Sequence, residues 1–461
     1  MNGFPRDVDA ALSRRYDLIV IGGGIYGMCL TLEAARRGLR PLLLERDDFG
    51  GATSLNSLRI LHGGLRYLQT LDIPRFFESV EQRAWFMSNF RPLCRVLPCL
   101  MPLYGKGLRR PAVFRAALAV NDFLSRDADF SGGRLLAVSE TIERFPAARC
   151  EGLKGGALWY DGQIISPQRL HAELLRWAAA CGATVLNYVE ARELRREGAR
   201  VAAVETTAGV FSAPIVINAA GPWSRELARR LDCDQPALLT PSLTFNILLG
   251  VPPPSDAAVA VQGCRTYFVT PHRNCTTFVG TVHRAWEGLS EPTDIMIDEF
   301  LDDLNRAIPN FGIDRSKILR VTAGVLPAIR LGKADMAHRS TFVRHEVDGL
   351  FSVCGIKYTT AQRFARRTIE RVFGRTNSLN QCRPEIGERA SLIDPQAVMS
   401  LSDEDLRRLA DEESVTKVED FVERRMDWVL DESDRTRFEA RLAAILGIHP
   451  ANALGEMAMT K

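Results

Sequence analysis

Apolar and polar positions fall into blocks of two different periods along this chain. Tyr16-Asp-Leu-Ile-Val-Ile-Gly is a short, nearly continuous apolar run stopped by glycine, which predicts a buried strand. A helix is predicted from there through Arg37, and Leu39 to Glu45 predicts the next strand. Farther on, Ser166-Pro167 opens an amphipathic helix to Cys181, followed by a predicted strand at Ala183 to Glu190. Arg200 to Thr206 and Gly209 to Ser212 read as a hairpin, and Pro214 to Asn218 as a further strand. The period changes to alternation in Arg265 to Pro271 and Thr276 to Val282, before a predicted helix from Thr293 to Ile308. Gly349 to Cys354 predicts a last strand, with a basic amphipathic helix through Phe373, and the chain beyond about Ser400 is charged and helical. The order predicts an α/β fold with an antiparallel sheet inserted in it.

Composition narrows the classes. A chain of 461 residues that is 46% hydrophobic buries a large core in two or three domains. Its 59 Lys and Arg against 56 Asp and Glu give no electrostatic footprint for nucleic acid. The ten cysteines form no C-x-x-C pair, and Cys29, Cys181 and Cys354 lie in apolar surroundings, so buried thiols are expected and no metal site. The first ten residues lack the apolar core of a signal peptide, and runs such as Pro236 to Gly250 are interrupted before the about 20 residues of a spanning helix. A soluble, cytoplasmic protein is the expectation. No G-x-x-x-x-G-K-[ST], H-E-x-x-H or G-x-S-x-G occurs.

The chemistry is concentrated at the ends of the apolar strands. Gly22-Gly-Gly-Ile-Tyr-Gly27 is G-x-G-x-x-G between a predicted strand and helix: Gly22 permits the turn, Gly24 lets backbone approach a pyrophosphate, and Gly27 lets the helix pack on the strand. Glu45, at the end of the next strand, can accept both hydroxyls of a ribose, and an acid there argues against NADP. In the stretch after it, Thr53 and Ser54 can donate to phosphate oxygens, and Gly63 and Gly64 let backbone lie against a flat ring. Asn218-Ala-Ala-Gly-Pro-Trp223 and Gly355-Ile-Lys-Tyr-Thr-Thr360 end the other two strands. The second places a cation and a helix start together.

These segments resemble the D-amino-acid oxidase superfamily of flavoproteins and, within it, the FAD-dependent glycerol-3-phosphate dehydrogenases. Ala52-Thr53-Ser54, His62-Gly-Gly-Leu-Arg-Tyr-Leu68, the N-A-A-G-P-W turn at Asn218 and the K-Y-T-T segment at Lys357 match that family's motifs at its spacing, and the resemblance covers nearly the whole chain. It implies a two-dinucleotide-binding, Rossmann-like FAD domain, discontinuous over 14–92, 161–240 and 321–375. A substrate domain over 93–160 and 241–320, with an antiparallel sheet roofing the flavin, and a linker with a small helical domain over 376–461 complete the expectation. FAD is the implied cofactor, held by Gly22, Gly24, Ile25, Tyr26, Gly27, Glu45, Arg46, Ala52, Thr53, Ser54, Ser57, His62, Gly63, Gly64, Val189, Ala220, Gly221, Trp223, Gly355, Lys357, Tyr358, Thr359 and Thr360.

Departures fall where substrate is expected. The family's G-V-R-P arginine is Leu326 here, its S-H pair has no counterpart in Leu243 to Ile247, and its G-T-T-D appears as Gly280-Thr-Val-His283. The expected cavity residues are Lys357, Arg330, Arg59, His62, Arg66, Tyr67, Tyr267 and His283. Lys357 would favour the reduced flavin, Arg330 would replace the missing arginine, and His283 would be a titrating group moved into the site, while His62 is read as a hydrogen-bonded supporting residue ahead of a directly catalytic one. The implied reaction is hydride transfer from a CH–OH group of a small, polar, anionic substrate to the flavin. An oxygen-using oxidase of an amine, amino acid or specialised metabolite and a non-catalytic flavin-binding protein stay open. So do quinone or oxygen as electron acceptor and a peripheral contact with the inner face of the membrane through the basic amphipathic stretch Gly105 to Leu124.

Overall fold

A computed structural model describes the chain except residues 1–2, 70, 106, 126–127, 274, 376–377, 428–431 and 449–461. The chain divides into two compact units: Met1–Leu55, Ser166–Thr240 and Ala337–Lys461 form the first, and Asn56–Ile165 with Pro241–Met336 form the second. Residues 56–92, 161–165 and 321–336, expected in the cofactor domain, therefore cluster with the substrate half, and the C-terminal helices cluster with the first unit.

The first unit is built on a six-stranded sheet. Leu18–Ile21 lies at its centre, between Val216–Asn218 and Pro41–Leu44, all parallel. Leu350–Cys354 extends the sheet on one side and Thr184–Leu186 on the other, both still parallel, while Thr341–Arg344 closes an edge antiparallel. Leu18 through Ile21 and Pro41 through Leu44 are buried throughout, which is why these strands read as unbroken apolar runs. The helix Ile25–Arg36 packs on the central strands, and Pro167–Ala180 begins at Ser166, whose hydroxyl accepts the Arg169 N–H. A three-stranded meander of Ala191–Glu197, Arg200–Thr206 and Gly209–Ser212 completes the β-structure. Its first strand, Arg-Glu-Leu-Arg-Arg-Glu after Ala191, is charged and largely exposed, so no apolar alternation announced it; the strand expected over Ala183 to Glu190 is confined to Thr184–Leu186.

In this unit the C-terminal helices are fastened by buried charge pairs. Arg425 donates to both oxygens of Asp48 at 2.7 and 2.9 Å, Arg169 donates to both oxygens of Glu413 at 3.0 and 2.6 Å, and Asn187 Nδ2 donates to Asp48 at 2.8 Å. Burial opposes ionisation of Glu413, but Arg169, Arg425 and Arg389 hold its carboxyl below the ordinary value.

The second unit is a nine-stranded, largely antiparallel sheet. Pro241–Leu249 pairs with Ile318–Pro327 on one side and Thr277–Ala285 on the other. Thr266–Pro271, Ala258–Gln262, Cys94–Pro102 and Gly156–Ile164 continue the order, and Ile60–Leu61 ends it. One face carries Phe245, Ile247, Val269 and Val279 against Phe300 and Leu304 of the helix Asp294–Ala307, which Thr293 caps. The opposite face is apolar only in part. Leu97, Cys99, Trp159 and Ala260 pack with Phe76 of the helix Ile73–Asn89 and Phe114 of Pro111–Ser125. Beyond them the same face turns polar.

Candidate functional site

Five parallel strands of the first unit end on the expected cofactor residues. Gly22 follows Ile21, Glu45 follows Leu44, Val189 comes shortly after Leu186, Ala220 and Gly221 after Asn218, and Gly355 follows Cys354. Ligands of an open parallel sheet bind at the carboxyl ends of its strands, at the point where strand order reverses. That point here is the central strand, Leu18–Ile21, whose neighbours run off in opposite directions.

The local geometry fits a dinucleotide. Gly22 has φ +112°, a conformation L side chains rarely adopt, and a Cβ on Gly27 would run into the Gly22 carbonyl oxygen. Gly24 opens the helix, and the Ile25 N–H donates to Ser54 Oγ at 2.9 Å, which sets a hydroxyl against the positive end of the helix. Glu45 is half-buried, its two oxygens accept the N–H groups of Gly23 at 2.6 Å and Asp47 at 2.9 Å, and each keeps a lone pair for a sugar hydroxyl. Burial pushes its carboxyl above the ordinary value, against those donors. A Cβ added at Gly221, which has φ +53°, would meet no atom within 4 Å, so its backbone lies open to a ligand. The Arg46 guanidinium sits 4.2 Å from the Trp223 ring centre, a flat stack one step beyond Glu45. Ala52, Thr53 and Ser54 lie on the short helix Ala52–Leu55.

Tyr26 serves the frame. Its ring leaves no room for a Cβ on Gly355 and packs edge-on to Phe364, and its hydroxyl donates to the Lys357 carbonyl at 2.9 Å while receiving the Ile356 N–H at 3.3 Å. Thr360 Oγ1 also bonds the Lys357 carbonyl, at 3.2 Å. The third segment, with Lys357, Tyr358 and Thr359 around the turn Tyr358–Thr360, is thereby pinned to the first.

On the second unit, His62 and Asp161 meet. His62 Nδ1 lies 3.1 Å from Asp161 Oδ2, and the His62 side chain is 48% exposed while that of Asp161 is buried. Asp161 also receives the Gly63 N–H at 2.6 Å and the Trp159 Nε1–H at 3.2 Å, and Arg83 stands 3.6 Å away. Burial opposes its charge, but His62, Arg83 and the Gly63 N–H together hold its carboxyl below the ordinary range. Gly63 is needed because a Cβ there would strike Arg83, and Gly64 because it has φ +91°. Asp161 was not foreseen from the sequence; the only signal was an acid within the largely apolar run Gly156–Ile164.

The polar part of the sheet face continues from there. The His62 ring packs on Phe268, with centres 5.2 Å apart. Thr244 is paired with His283 on one side and Gly324 on the other, and Asn246 with Thr322, so these side chains share a face. Thr244 Oγ1, Asn246 Oδ1 and His283 Nδ1 are buried and find no hydrogen-bond partner among the described residues, and neither does Ser57 Oγ. Buried polar atoms are rarely left unpaired in a native protein unless something else pairs them. Burial, helped by Arg265 and Arg66, pulls His283 down to about 4, so it is neutral at neutral pH. Arg66 is exposed and Tyr67 half-buried on the helix Leu65–Gln69.

Two expected cavity residues sit elsewhere. Tyr267 points to the other face of its strand, 4% exposed against Phe300, and donates to Asp303 at 2.7 Å: alternation puts it in the core, opposite Phe268. Arg59 is buried with φ +68° and donates to His272 Nε2 at 2.8 Å. Thr276 gives its proton to the Arg273 carbonyl, so it accepts from His272 Nδ1–H, and that tautomer leaves Nε2 to receive Arg59. Arg59 is thus an anchor of the sheet end. Arg330 lies in an exposed loop between Ile329 and Leu331.

Residues 17–370 match the FAD dependent oxidoreductase family. A glycerol-3-phosphate dehydrogenase of Synechocystis is 31% identical over 406 residues, 81% of this chain and 72% of that protein. The mitochondrial glycerol-3-phosphate dehydrogenase of Saccharomyces cerevisiae is 28% identical over 431 residues, 81% of this chain but only 66% of its own length. The FAD-complexed glycerol-3-phosphate dehydrogenase structure from Bacillus halodurans superimposes with a TM-score of 0.72 over 96% of this chain and 93% of that one, at 21% identity, a likeness of fold.

Proposed function

Because the chain belongs to the FAD dependent oxidoreductase family and is an FAD-dependent oxidoreductase resembling glycerol-3-phosphate dehydrogenase, we propose that it oxidises a CH–OH group of a small, polar, anionic substrate, with glycerol 3-phosphate as the first candidate. FAD, when bound, supplies the redox chemistry by accepting the hydride. The observation that carries the reading is the His62–Asp161 pair. The ionised Asp161 fixes the His62 ring through Nδ1, which leaves Nε2 to take the proton of the substrate hydroxyl and lets the carboxylate stabilise the imidazolium that results.

Thr244, Asn246 and His283 supply hydroxyl, amide and neutral imidazole atoms for the substrate's polar groups. Arg66, whose charge acts on His283, supplies the positive field for its anionic end in the absence of an arginine at Leu326, Arg265 being paired with Asp335 at 3.3 Å. In the first unit, the Gly22–Gly27 turn, Ser54, Glu45 and the Gly221 and Gly355 backbones would hold the cofactor, and Lys357 would supply positive charge beside it. The acceptor we assign is a membrane quinone. Leu71, Phe77 and Phe123 are 80%, 47% and 74% exposed, the last two on the helices Ile73–Asn89 and Pro111–Ser125, large apolar side chains suited to a lipid surface.

Anaerobic addition of glycerol 3-phosphate to the yellow protein is the test. Bleaching at a rate lost in His62→Gln supports the reading, whereas flavin bleached by amines or amino acids, and not by hydroxylated anions, overturns it. Peroxide release under oxygen, without reduction of a quinone analogue in anionic vesicles, overturns the acceptor.

A further inference from the structure

Asp232 ends the helix Ser224–Leu231, Cys233 follows it, and His345 follows the strand Thr341–Arg344. None has a part in the proposed reaction, yet all three converge. His345 Nδ1 lies 3.1 Å from Asp232 Oδ2, Cys233 Sγ donates to the same oxygen at 3.4 Å, and the three donor atoms all fall within 4.8 Å of one another. A tetrahedral zinc ion, with bonds of about 2.0 to 2.3 Å, spaces its ligand atoms by about 3.3 to 3.8 Å, so shifts of about an ångström close the set. Imidazole, thiolate and carboxylate together suit a borderline-soft ion such as zinc and do not suit calcium or magnesium, which take oxygen.

The donors are also held from behind, one by one. His345 Nε2 is 2.8 Å from Ser352 Oγ, Arg196 donates to the other Asp232 oxygen at 3.2 Å, and Gln235 Nε2 donates to Cys233 Sγ at 3.3 Å. Outer partners of this kind fix the tautomer and orientation of metal ligands. The His345 side chain has no exposed surface while Cys233 is exposed, so the cluster is closed on the imidazole side and open on the thiol side. A plain Asp–His pair would account for two of these residues; it would not account for a thiol aimed at the same carboxylate oxygen.

We propose that Asp232, Cys233 and His345 form a binding site for a divalent transition ion of the zinc class, with water as the remaining ligand. On binding, the Cys233 S–H bond breaks and a sulfur–metal bond forms, with the proton released to solvent. His345 binds as the neutral imidazole through Nδ1, and its ring proton sits on Nε2, where Ser352 Oγ accepts it. Ser352 Oγ also accepts from Asn218 Nδ2 at 3.0 Å, and Asn218 Oδ1 accepts the Ala220 N–H at 3.1 Å. The ion would therefore stand at the end of a hydrogen-bond chain that shapes the turn before Gly221.

Full-length, flavin-loaded protein, stripped with a chelator and titrated with Zn2+ by calorimetry, tests this directly. The expected result is one ion per chain, with X-ray absorption showing one sulfur at about 2.3 Å and nitrogen or oxygen at about 2.0 to 2.2 Å. Cys233→Ala, at an exposed position, should weaken binding at least tenfold with flavin content unchanged, and Gln235→Ala should weaken it less. No stoichiometric binding by the unaltered protein, a metal shell without sulfur, or equal affinity in Cys233→Ala overturns the site. None of these readouts depends on the substrate or on turnover.

Discussion

Asp161→Asn keeps the shape of the residue that orients His62 and removes its charge. In the proposed reaction His62 becomes a cation, and the carboxylate 3.1 Å from Nδ1 is its partner. Unit charges about 4 Å apart at an effective dielectric of about 20 interact by about 4 kcal/mol. The His62 side chain is 48% exposed, and screening by water leaves about half of that, roughly 2 kcal/mol. That alone slows proton removal by about 30-fold. The amide adds a second penalty. Asp161 accepts from the Gly63 N–H, the Trp159 Nε1–H and His62, so an asparagine, with one oxygen and one NH2, must set a donor against a donor. If the NH2 faces His62, the ring proton moves to Nε2 and the base is lost, which carries the total to about 10² to 10⁴-fold. The assay is stopped-flow flavin reduction under anaerobic conditions across pH, per flavin-loaded molecule, because Arg83 also loses its buried partner and the melting temperature will fall. A reduction rate within about threefold of the unaltered protein, with the same pH profile, would refute the assignment of His62 as base.

Gly355→Ala places a methyl group inside the Tyr26 ring; overpacking of about 1 to 3 kcal/mol displaces the Lys357 segment, and flavin content after purification should drop. Arg425→Ala leaves Asp48 buried without its bidentate partner, so chemical denaturation should show a loss of about 3 to 5 kcal/mol. His171 is 2% exposed, and burial, then Arg425 and Arg424, pull it down to about 3. Its folded value lies below the unfolded one, so the unfolded chain binds the extra proton. Its contribution is complete above about pH 6.5 and is lost as pH falls toward 3, at up to about 1.4 kcal/mol per pH unit. Melting curves of His171→Gln between pH 6.5 and 4 should accordingly fall less steeply than those of the unaltered protein, and parallel curves would rule this out.

The cofactor half was legible in the sequence because its requirements are local. A buried parallel strand is a run of apolar residues, the turn after it needs glycine at Gly22, and the helix packed on that turn needs Gly27; each shows within a few residues of chain. The helix after Thr293 was legible for the same reason. The reactive half was not, because its partners are distant in sequence and joined by a sheet. Which face Tyr267 takes depends on the register between Phe268 and Gly280, and that register sent Tyr267 into the core. Arg59 reads as a cation for substrate until His272, fixed in one tautomer by Thr276, is brought beside it. Asp161 and His62, or Asp232, Cys233 and His345, carry no spacing that marks them as sets. Glycine conformations and apolar runs are properties of the chain, whereas a hydrogen-bonded charge pair comes into being only when packing has removed water and brought the two side chains together.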